Sequence, residues 1–398
     1  MTDDSTGVSA EVAAVSRSDW GRIVGGLIRL TGDWTLAEDA TQDAFATALK
    51  RWPIDGIPNN PAAWLTTTAR NRAIDILRSA ASERARAKEV DIMKSLADGG
   101  EQDIEDDRLR LIFTCAHPAL PLPARVALTL RTVAGLTVPE IAAAFLVPET
   151  TMAQRLVRAR RKIEEAGIPY RVPPAELLGE RLSGVLAVLY LVFNQGYSAV
   201  ARNELAASAL SLASAVVELM PREDEARGLL ALLVLQNSRR DARVGSAGEL
   251  LTLEEQDRSL WHRDEVADGL ALLPNSTGQY AIQAAIAGCH ARAASALDTD
   301  WGEIVVLYDV LLAQSPSPVI QLNRAIAIGM RDGPDAGLEL LSGLQLDGYR
   351  WLPAAQADLL LRAGRTAEAA DRFREVIALT TSGPERADLV RRLAELES

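Results

Sequence analysis

Residues 137–162 read TVPEIAAAFLVPETTMAQRLVRARRK and form two helical stretches separated by a proline. In the first stretch Ile141, Ala142 and Phe145 recur at helical spacing and predict a buried face. Pro148 follows closely, and a proline inside a helix removes a backbone donor and clashes with the preceding turn. The pattern therefore predicts a first helix, a tight turn that ends at Pro148, and a second helix.

The second helix opens with polar residues that suit a helix N-terminus, beginning at Glu149. Its apolar positions Met152, Leu156 and Ile163 predict the inward face. A glutamine near the N-terminal end can reach base edges and arginines further along can neutralise phosphates, as in a DNA-binding helix-turn-helix. A solvated basic helix in an ordinary bundle is the alternative interpretation. The outward residues, which are the predicted DNA contacts, are Thr150, Thr151, Gln154, Arg155, Arg158, Arg161 and Lys162.

The composition indicates a helical protein of two or three domains. The chain has 398 residues, of which 48% are hydrophobic and 5% aromatic. Its formal charge of −12 at first sight opposes nucleic-acid binding. Residues 1–170, however, hold 21 Lys and Arg against 23 Asp and Glu, so −10 of this charge falls in the later part. We expect the nearly neutral front to bind phosphate and the acidic part to contact protein or to regulate.

Cysteine usage and hydropathy predict a reduced, cytoplasmic protein. Cys115 and Cys289 lie far apart in the sequence, and the acidic N-terminal residues contain no hydrophobic segment. The longest apolar stretch, 185–193, is shorter than the about 20 residues that span a bilayer, so no membrane contact is expected. The pairs Cys115 with His117 and Cys289 with His290 lack the spacing of structural zinc sites. Neither a metal nor a cofactor is predicted.

Breaks in the helical pattern divide the chain into four parts. Residues 9–80 form a first helical block, and 109–168 form the block that ends with the helix-turn-helix. Between them, 81–108 is charged and contains two adjacent glycines, which predicts a linker. Residues 174–398 are a long series of Ala- and Leu-rich helices that follows a pair of prolines. The linker motif, DGGE, consists of Asp98, Gly99, Gly100 and Glu101.

The last part carries signs of a helical repeat. Gly333 and Gly364 each precede a helix and lie 31 residues apart, close to the tetratricopeptide period of about 34 residues. Small residues such as Ala336 and Ala369 would let paired helices approach closely. The sequence therefore predicts a tetratricopeptide-like domain. A non-repetitive helical domain is the alternative, because the match weakens before Ser315.

Two segments of the first block, LTGDWTLAEDATQDAFATALKRW (30–52) and NNPAAWLTTTARNRAIDILR (59–78), closely resemble region two of extracytoplasmic-function (ECF) sigma factors. Residues 138–162 resemble region four of the same family. The DGGE motif, the run FTCAHPALPLPARVALTLRTVAGL (113–136) and the long C-terminal part resemble the ECF group with a tetratricopeptide-like extension. The resemblance implies a protein that binds core RNA polymerase, delivers it to promoter DNA and opens the duplex, without being an enzyme itself.

The resemblance also assigns contacts on two helices of the first block. Asp39, Gln42 and Asp43 fall at spacings of three and four and share one polar face, which in the family docks on the polymerase; a solvated face is the alternative. Promoter opening requires capture of unstacked bases beside positive charge. The resemblance assigns the minus-ten strand to the loop 52–61 and to Asn71 on the next helix, where a polar band supplies the further predicted DNA contacts. That band comprises Arg70, Asn71, Arg72 and Asp75.

Two departures from the family pattern limit what carries over. Many members have a lysine and a serine where this chain has Ala153 and Gln154, so the preferred minus-thirty-five sequence does not transfer. The C-terminal part exceeds half of the chain, which implies control from within the polypeptide or through a protein partner of that part. An inhibitory tail predicts gain of activity on removal, whereas a tail needed for folding or polymerase binding predicts loss.

Other classes of function are compatible with parts of the sequence. A one-component regulator, with a helix-turn-helix and a ligand- or protein-sensing helical domain, would bind DNA without polymerase. A pure tetratricopeptide adaptor leaves Asn71 and the arginines of the second helix unexplained. An enzyme is the least compatible class, because the chain has three histidines, no Gly-rich phosphate loop and no nucleophile beside a base. No catalytic residue is predicted.

Overall fold

The computed structural model describes residues 3–80, 104–145, 147–197, 203–245, 248–380 and 383–397. Within these ranges the chain is α-helical, with short 3₁₀ and π-helical turns and one isolated β-bridge between Val244 and Leu250. The all-α class predicted from the sequence is confirmed. The DGGE motif at 98–101 lies outside the described residues.

The chain forms two compact units. The first comprises Met1–Ser198 with Arg202–Leu219, and the second comprises Ala199–Ala201 with Met220–Ser398. The sequence places the start of its last domain at residue 174, so the first two helices of that domain pack with the first unit in the structure.

The first block folds into three helices, α1 (Asp3–Thr31), α2 (Trp34–Asp55) and α3 (Pro61–Ala80). α2 packs against both of the others. It begins after Asp33, whose side chain accepts a hydrogen bond from the backbone N–H of Leu36 at 3.0 Å and so caps the helix. Small side chains make the close packing of α2 possible. Those with no exposed surface are Ala37, Ala40, Ala44 and Ala48.

The second block contains α4 (Ile104–Cys115) and α5 (Leu122–Leu128), which continues as a π-helical turn over Thr129–Val133. The predicted helix-turn-helix follows as α6 (Val138–Ala144) and α7 (Glu149–Glu165). α6 begins with a capping box, in which Thr137 and Glu140 each satisfy a backbone N–H of the other residue. Pro148 lies directly before α7, where a fixed φ does not disturb the helix.

Two further helices, α8 (Ala175–Tyr197) and α9 (Asn203–Leu219), complete the first unit. They pack against each other, and both contact α4. Arg108 of α4 donates a hydrogen bond to the Ser211 hydroxyl at 3.3 Å. α8 also contacts α5, so these two helices cover the block that precedes the helix-turn-helix.

In the second unit α10 (Asp224–Asn237) and α12 (Gln279–Arg292) pack closely, and Gly228 lies against the backbone of Ala281. From α13 (Trp301–Gln314) onward each helix packs against the next one in the sequence. Stacking of successive neighbours occurs in helical solenoids and also in non-repetitive helical domains, so the tetratricopeptide-like repeat stays a prediction. The helices are α10 (Asp224–Asn237), α11 (Arg263–Leu272), α12 (Gln279–Arg292), α13 (Trp301–Gln314), α14 (Pro318–Asp332), α15 (Pro334–Ser342), α16 (Trp351–Arg362), α17 (Thr366–Leu379) and α18 (Gly383–Glu397).

Gly135 permits the contact between α1 and the turn before α6. Its φ is +76°, and an added Cβ would lie 2.7 Å from Cγ of Trp20. We expect Gly135→Ala to lower the free energy of unfolding by about 2–4 kcal/mol, because strain and overpacking add. The matched control is Gly167→Ala, where φ is +58° and nothing lies within 4 Å of the added Cβ; here the expected loss is about 1 kcal/mol. Urea unfolding followed by tryptophan fluorescence measures both, and equal losses would contradict the packing role.

Candidate nucleic-acid interface

The two faces of α7 are as the sequence predicts. Met152, Leu156 and Ile163 are buried, and they hold the helix against α5 and α6. The polar side of α7 faces outward. Its exposed members are Thr150, Gln154, Arg158, Arg161 and Lys162, and Thr151 and Arg155 are partly exposed.

Local contacts position the arginines of this exposed face. The Arg155 guanidinium lies over the Phe145 ring, 5.5 Å from its centroid, and Arg158 Nε donates to the backbone oxygen of Gln154 at 3.2 Å. Arg161 pairs with Glu165 at 2.5 Å, and this hydrogen bond raises the pKa of the arginine. These contacts hold the arginine side chains beside the helix, and the side chains can turn toward a phosphate with little loss, because exposed ion pairs contribute little stability.

Arg160 points the other way from its neighbours. Its Nη2 lies 2.5 Å from Oε1 of Glu38 on α2, and its side chain is 19% exposed. The arginines of α7 thus face in two directions: Arg158 and Arg161 are exposed, and Arg160 binds another part of the first unit.

Three of the predicted minus-ten residues, Asn71, Arg72 and Asp75, share the exposed side of α3. Asn71 and Asp75 are exposed, and Arg70 is partly buried. Arg72 is exposed and donates through Nε to Oδ2 of Asp43 at 2.6 Å, which raises the pKa of the arginine. Since Asp43 belongs to the predicted polymerase face, the two predicted surfaces meet at this ion pair.

The loop before α3 is exposed, whereas the neighbouring Trp52 is buried. Trp52 is 2% exposed and packs edge-on against Trp64, with ring centroids 5.5 Å apart. A ring buried in this way has no free face on which a base could stack. Residues 56–60 are exposed or partly exposed, and Asn60 caps α3 by accepting from the Ala63 N–H. The structure therefore leaves the loop, and not Trp52, accessible to a strand.

The predicted polymerase face lies on the outer side of α2. Asp39 and Gln42 are exposed, and the Asp43 side chain is 49% exposed. The neighbouring residue Glu38 is buried, at 3% exposure. Glu38 has no part in the contacts predicted from the sequence. The sequence does contain a signal for its burial, because Glu38 lies four residues after Trp34 and so falls on the inward side of the helix.

Glu38 binds three donors from the second block. Arg131 Nε lies 3.0 Å from Oε2, while Arg160 Nη2 at 2.5 Å and the Thr132 hydroxyl at 3.2 Å both donate to Oε1. A buried carboxylate is strongly disfavoured unless it is paired and hydrogen-bonded. The three donors meet that requirement and join α2 to both the π-helical turn and α7.

No group of three or more possible metal-ligating side chains occurs in the ranges that the structure describes. Over the same ranges no helix is long and apolar enough to cross a bilayer. Cys115 and Cys289 are both buried free thiols.

Comparison with protein families places three matches along the chain. Residues 21–83 match sigma-70 region 2, and residues 110–163 match sigma-70 region 4. Residues 181–277 match a family of unknown function (DUF6596). The chain therefore carries two domains of sigma-70 factors, which confirms the resemblance of 30–78 and 138–162 to regions two and four.

Individual relatives of the chain include one match over nearly its whole length and one over its first part. An uncharacterized protein of Rhizobium meliloti (strain 1021) is 42% identical over 384 residues, which cover 92% of this chain and 90% of the relative. The chain belongs to the same family as that protein. A probable ECF RNA polymerase sigma factor, SigI, of Mycobacterium tuberculosis is 30% identical over 171 residues in each of two strains, covering 42% of this chain and 58% of the relative. No solved structure matches the chain.

Gln154 and Lys162 are expected to affect DNA binding differently. Gln154→Ala should cost about 1–3 kcal/mol on the preferred sequence and relax the preference at one base pair, since a glutamine amide reads a base edge. Lys162→Ala should weaken binding equally on all sequences and lower the salt slope by about 1, since a lysine contacts phosphate. Fluorescence anisotropy with promoter duplexes and their single-base variants measures both effects.

The matched control is Arg372→Ala, which removes an exposed arginine from α17 in the second unit. It should leave DNA binding unchanged. A uniform loss with Gln154→Ala on every duplex would show that Gln154 does not read a base.

Proposed function

We propose that the chain is an ECF-type sigma factor that binds core RNA polymerase, directs it to specific promoters and is regulated by its C-terminal helical part. The observation that supports this most strongly is the pair of sigma-70 regions in one unit, each with an exposed polar face. The name of the Mycobacterium tuberculosis relative supports the ECF type.

Each region has a distinct part in this proposal. The outer face of α2, with Asp39, Gln42 and Asp43, binds the polymerase. The exposed side of α7 binds the minus-thirty-five duplex, and Asn71 with the loop 56–60 holds the minus-ten strand. The factor contributes positioning and strand capture, while the chemistry of RNA synthesis belongs to the polymerase.

Binding to core polymerase tests the proposal most directly. The wild-type chain should co-purify with core RNA polymerase and support run-off transcription from the protein's own upstream region. Asp39→Lys together with Gln42→Ala should weaken polymerase binding about tenfold, because reversing a charge at an interface leaves like charges opposed. Asp335→Lys is the control, since Asp335 is 84% exposed in the second unit. Absence of polymerase binding by the wild-type chain would overturn the proposal.

Regulation by the C-terminal part is tested with a truncated chain that keeps the first unit whole. Removal of everything after Pro173 would also delete α8 and α9, which pack on α4 in the first unit. A chain ending at Leu219 retains both helices and removes only the second unit. Removing this acidic unit should increase promoter-specific run-off transcription at low salt, because repulsion between it and DNA is lost.

Run-off assays of the full chain and of residues 1–219, across a salt series, measure this effect. Equal activity of the two chains would exclude regulation by the second unit. Loss of activity with retained helical content would instead show that the second unit is required for polymerase binding.

A one-component regulator remains the second candidate, and one feature of the second unit favours it. That unit has a pocket of about 470 Å³, within the range of small-molecule sites. Apolar walls, which include Trp301, Trp351 and Phe373, form most of its lining. Sequence-specific binding of the purified chain to its promoter without polymerase would favour this function over a sigma factor.

A further inference from the structure

We infer that the cavity of the second unit binds a small organic acid, with its carboxylate beside Arg258 and its apolar body against Trp301 and Trp351. The cavity has a volume of about 470 Å³, and all the residues that line it belong to the second unit. The inference goes beyond the proposed function, because the site involves neither the polymerase face nor the DNA faces.

Two parts of the unit that are distant in sequence enclose the cavity. The segment 249–254 supplies one part of the lining, and helices α16 to α18 supply another. Arg362 of α16 pairs with Glu254, and Arg392 of α18 pairs with Glu255 at 2.7 Å. These ion pairs are partly exposed and contribute little stability, so they can separate to admit a ligand.

Aromatic side chains form part of the apolar lining. Trp301 lies edge-on to the ring of His290, with ring centroids 5.3 Å apart, and both residues line the cavity. Trp351 is 48% exposed, and the Arg350 guanidinium lies over its ring, 4.4 Å from the centroid. A ligand with an apolar body would remove ring surface from water, which favours binding.

Most of the arginines that line the cavity are already neutralised by a neighbouring carboxylate. Three of them, on or next to α16 and on α18, each pair with an acidic residue of the same lining. These pairs are Arg350 with Glu385, Arg362 with Asp358, and Arg392 with Asp388.

Arg258 also lines the cavity, but it pairs with no carboxylate among the residues that the structure describes. Its Nη1 donates to the backbone oxygens of His290 at 2.8 Å and Ala293 at 2.6 Å, while Nη2 is buried without a hydrogen-bond partner in the same ranges. The guanidinium lies over the Trp261 ring, 4.7 Å from the centroid. These contacts fix its position without balancing its charge.

Neighbouring charges make this end of the cavity more positive. Burial lowers the pKa of Arg258, and the charges of Arg239 and Arg263 lower it further; Asp298 acts in the opposite direction with the smallest effect. Burial and the two arginines 239 and 258 also lower the pKa of His290 to about 4, so this ring is neutral at pH 7. Arg258 itself stays protonated.

These charges select the class of ligand. A buried charge is unfavourable unless it is paired, and the planar guanidinium matches the geometry of a carboxylate. An organic acid supplies this anionic partner, whereas an amine would be repelled and a neutral ligand would leave Arg258 unpaired. The apolar lining beside Arg258 requires that the acid also has an apolar body, and a volume of about 470 Å³ accommodates a small molecule.

Isothermal titration calorimetry of the full chain, without polymerase or DNA, tests the inference. The probes are 2-naphthylacetate and its neutral analogue 2-naphthylacetamide, which have the same apolar body. The acid should bind at one site per chain, and the amide should bind at least about tenfold more weakly, because it cannot form a charge-assisted hydrogen bond with the guanidinium. Acetate should not bind measurably, since it lacks the apolar body.

Variants of the cavity locate the site. Arg258→Gln should weaken binding of the acid about tenfold or more and leave binding of the amide unchanged, since only the acid uses the charge. Arg372→Gln is the matched control, because it makes the same change at an arginine outside the cavity and should affect neither probe. Ala354 lines the cavity, so Ala354→Phe should fill it and weaken both probes about tenfold or more. If Arg258→Gln loses its helical circular dichroism, the two probes on the wild-type chain and on Ala354→Phe decide.

Equal affinity of the acid and the amide, or no binding of the acid at millimolar concentration, would overturn the inference. Binding that Ala354→Phe leaves unchanged would also overturn it, because the ligand would then lie outside the cavity. A chain that binds the acid but not the polymerase would overturn only the proposed function. A chain that binds the polymerase but not the acid would overturn only the ligand site.

Discussion

The buried carboxylate of Glu38 is the interaction on which the first unit depends. Because this carboxylate is buried away from water, it must be paired. Its cationic partners, Arg131 and Arg160, come from two separate parts of region 4. This requirement fixes α2 relative to both the π-helical turn and α7. Two close contacts require the same arrangement. Gly21 of α1 lies against the backbone oxygen of Val133, and Gly135 lies against the ring of Trp20.

Two helices of the first unit have charged side chains on both their buried and their exposed sides. α7 is amphipathic in charge as well as in hydropathy: Arg160 is directed inward to Glu38, while Arg158 and Lys162 face outward. α2 likewise presents Asp39 outward and buries Glu38.

The boundary between the two compact units does not fall at Pro173 and Pro174, where the sequence pattern breaks. α8 and α9 cover α4, and the second compact unit starts at Met220. The match to the family of unknown function, at 181–277, begins in the first unit and ends in the second. In this chain the matched stretch therefore includes helices of both units: α8 and α9 pack beside region 4, and α10 and α11 belong to the second unit.

The sequence by itself determined the helical class, the helix-turn-helix with its buried and exposed faces, and the outward position of Asp39 and Gln42. Periodicity, caps and prolines act within a few residues and are readable locally. Only the tertiary structure decided that Glu38 is enclosed, that Arg160 pairs with it, and that α8 and α9 join the first unit. The two arginine partners of Glu38 lie 93 and 122 residues away. No local pattern specifies a pairing over such separations, since the pairing exists only after the chain has folded.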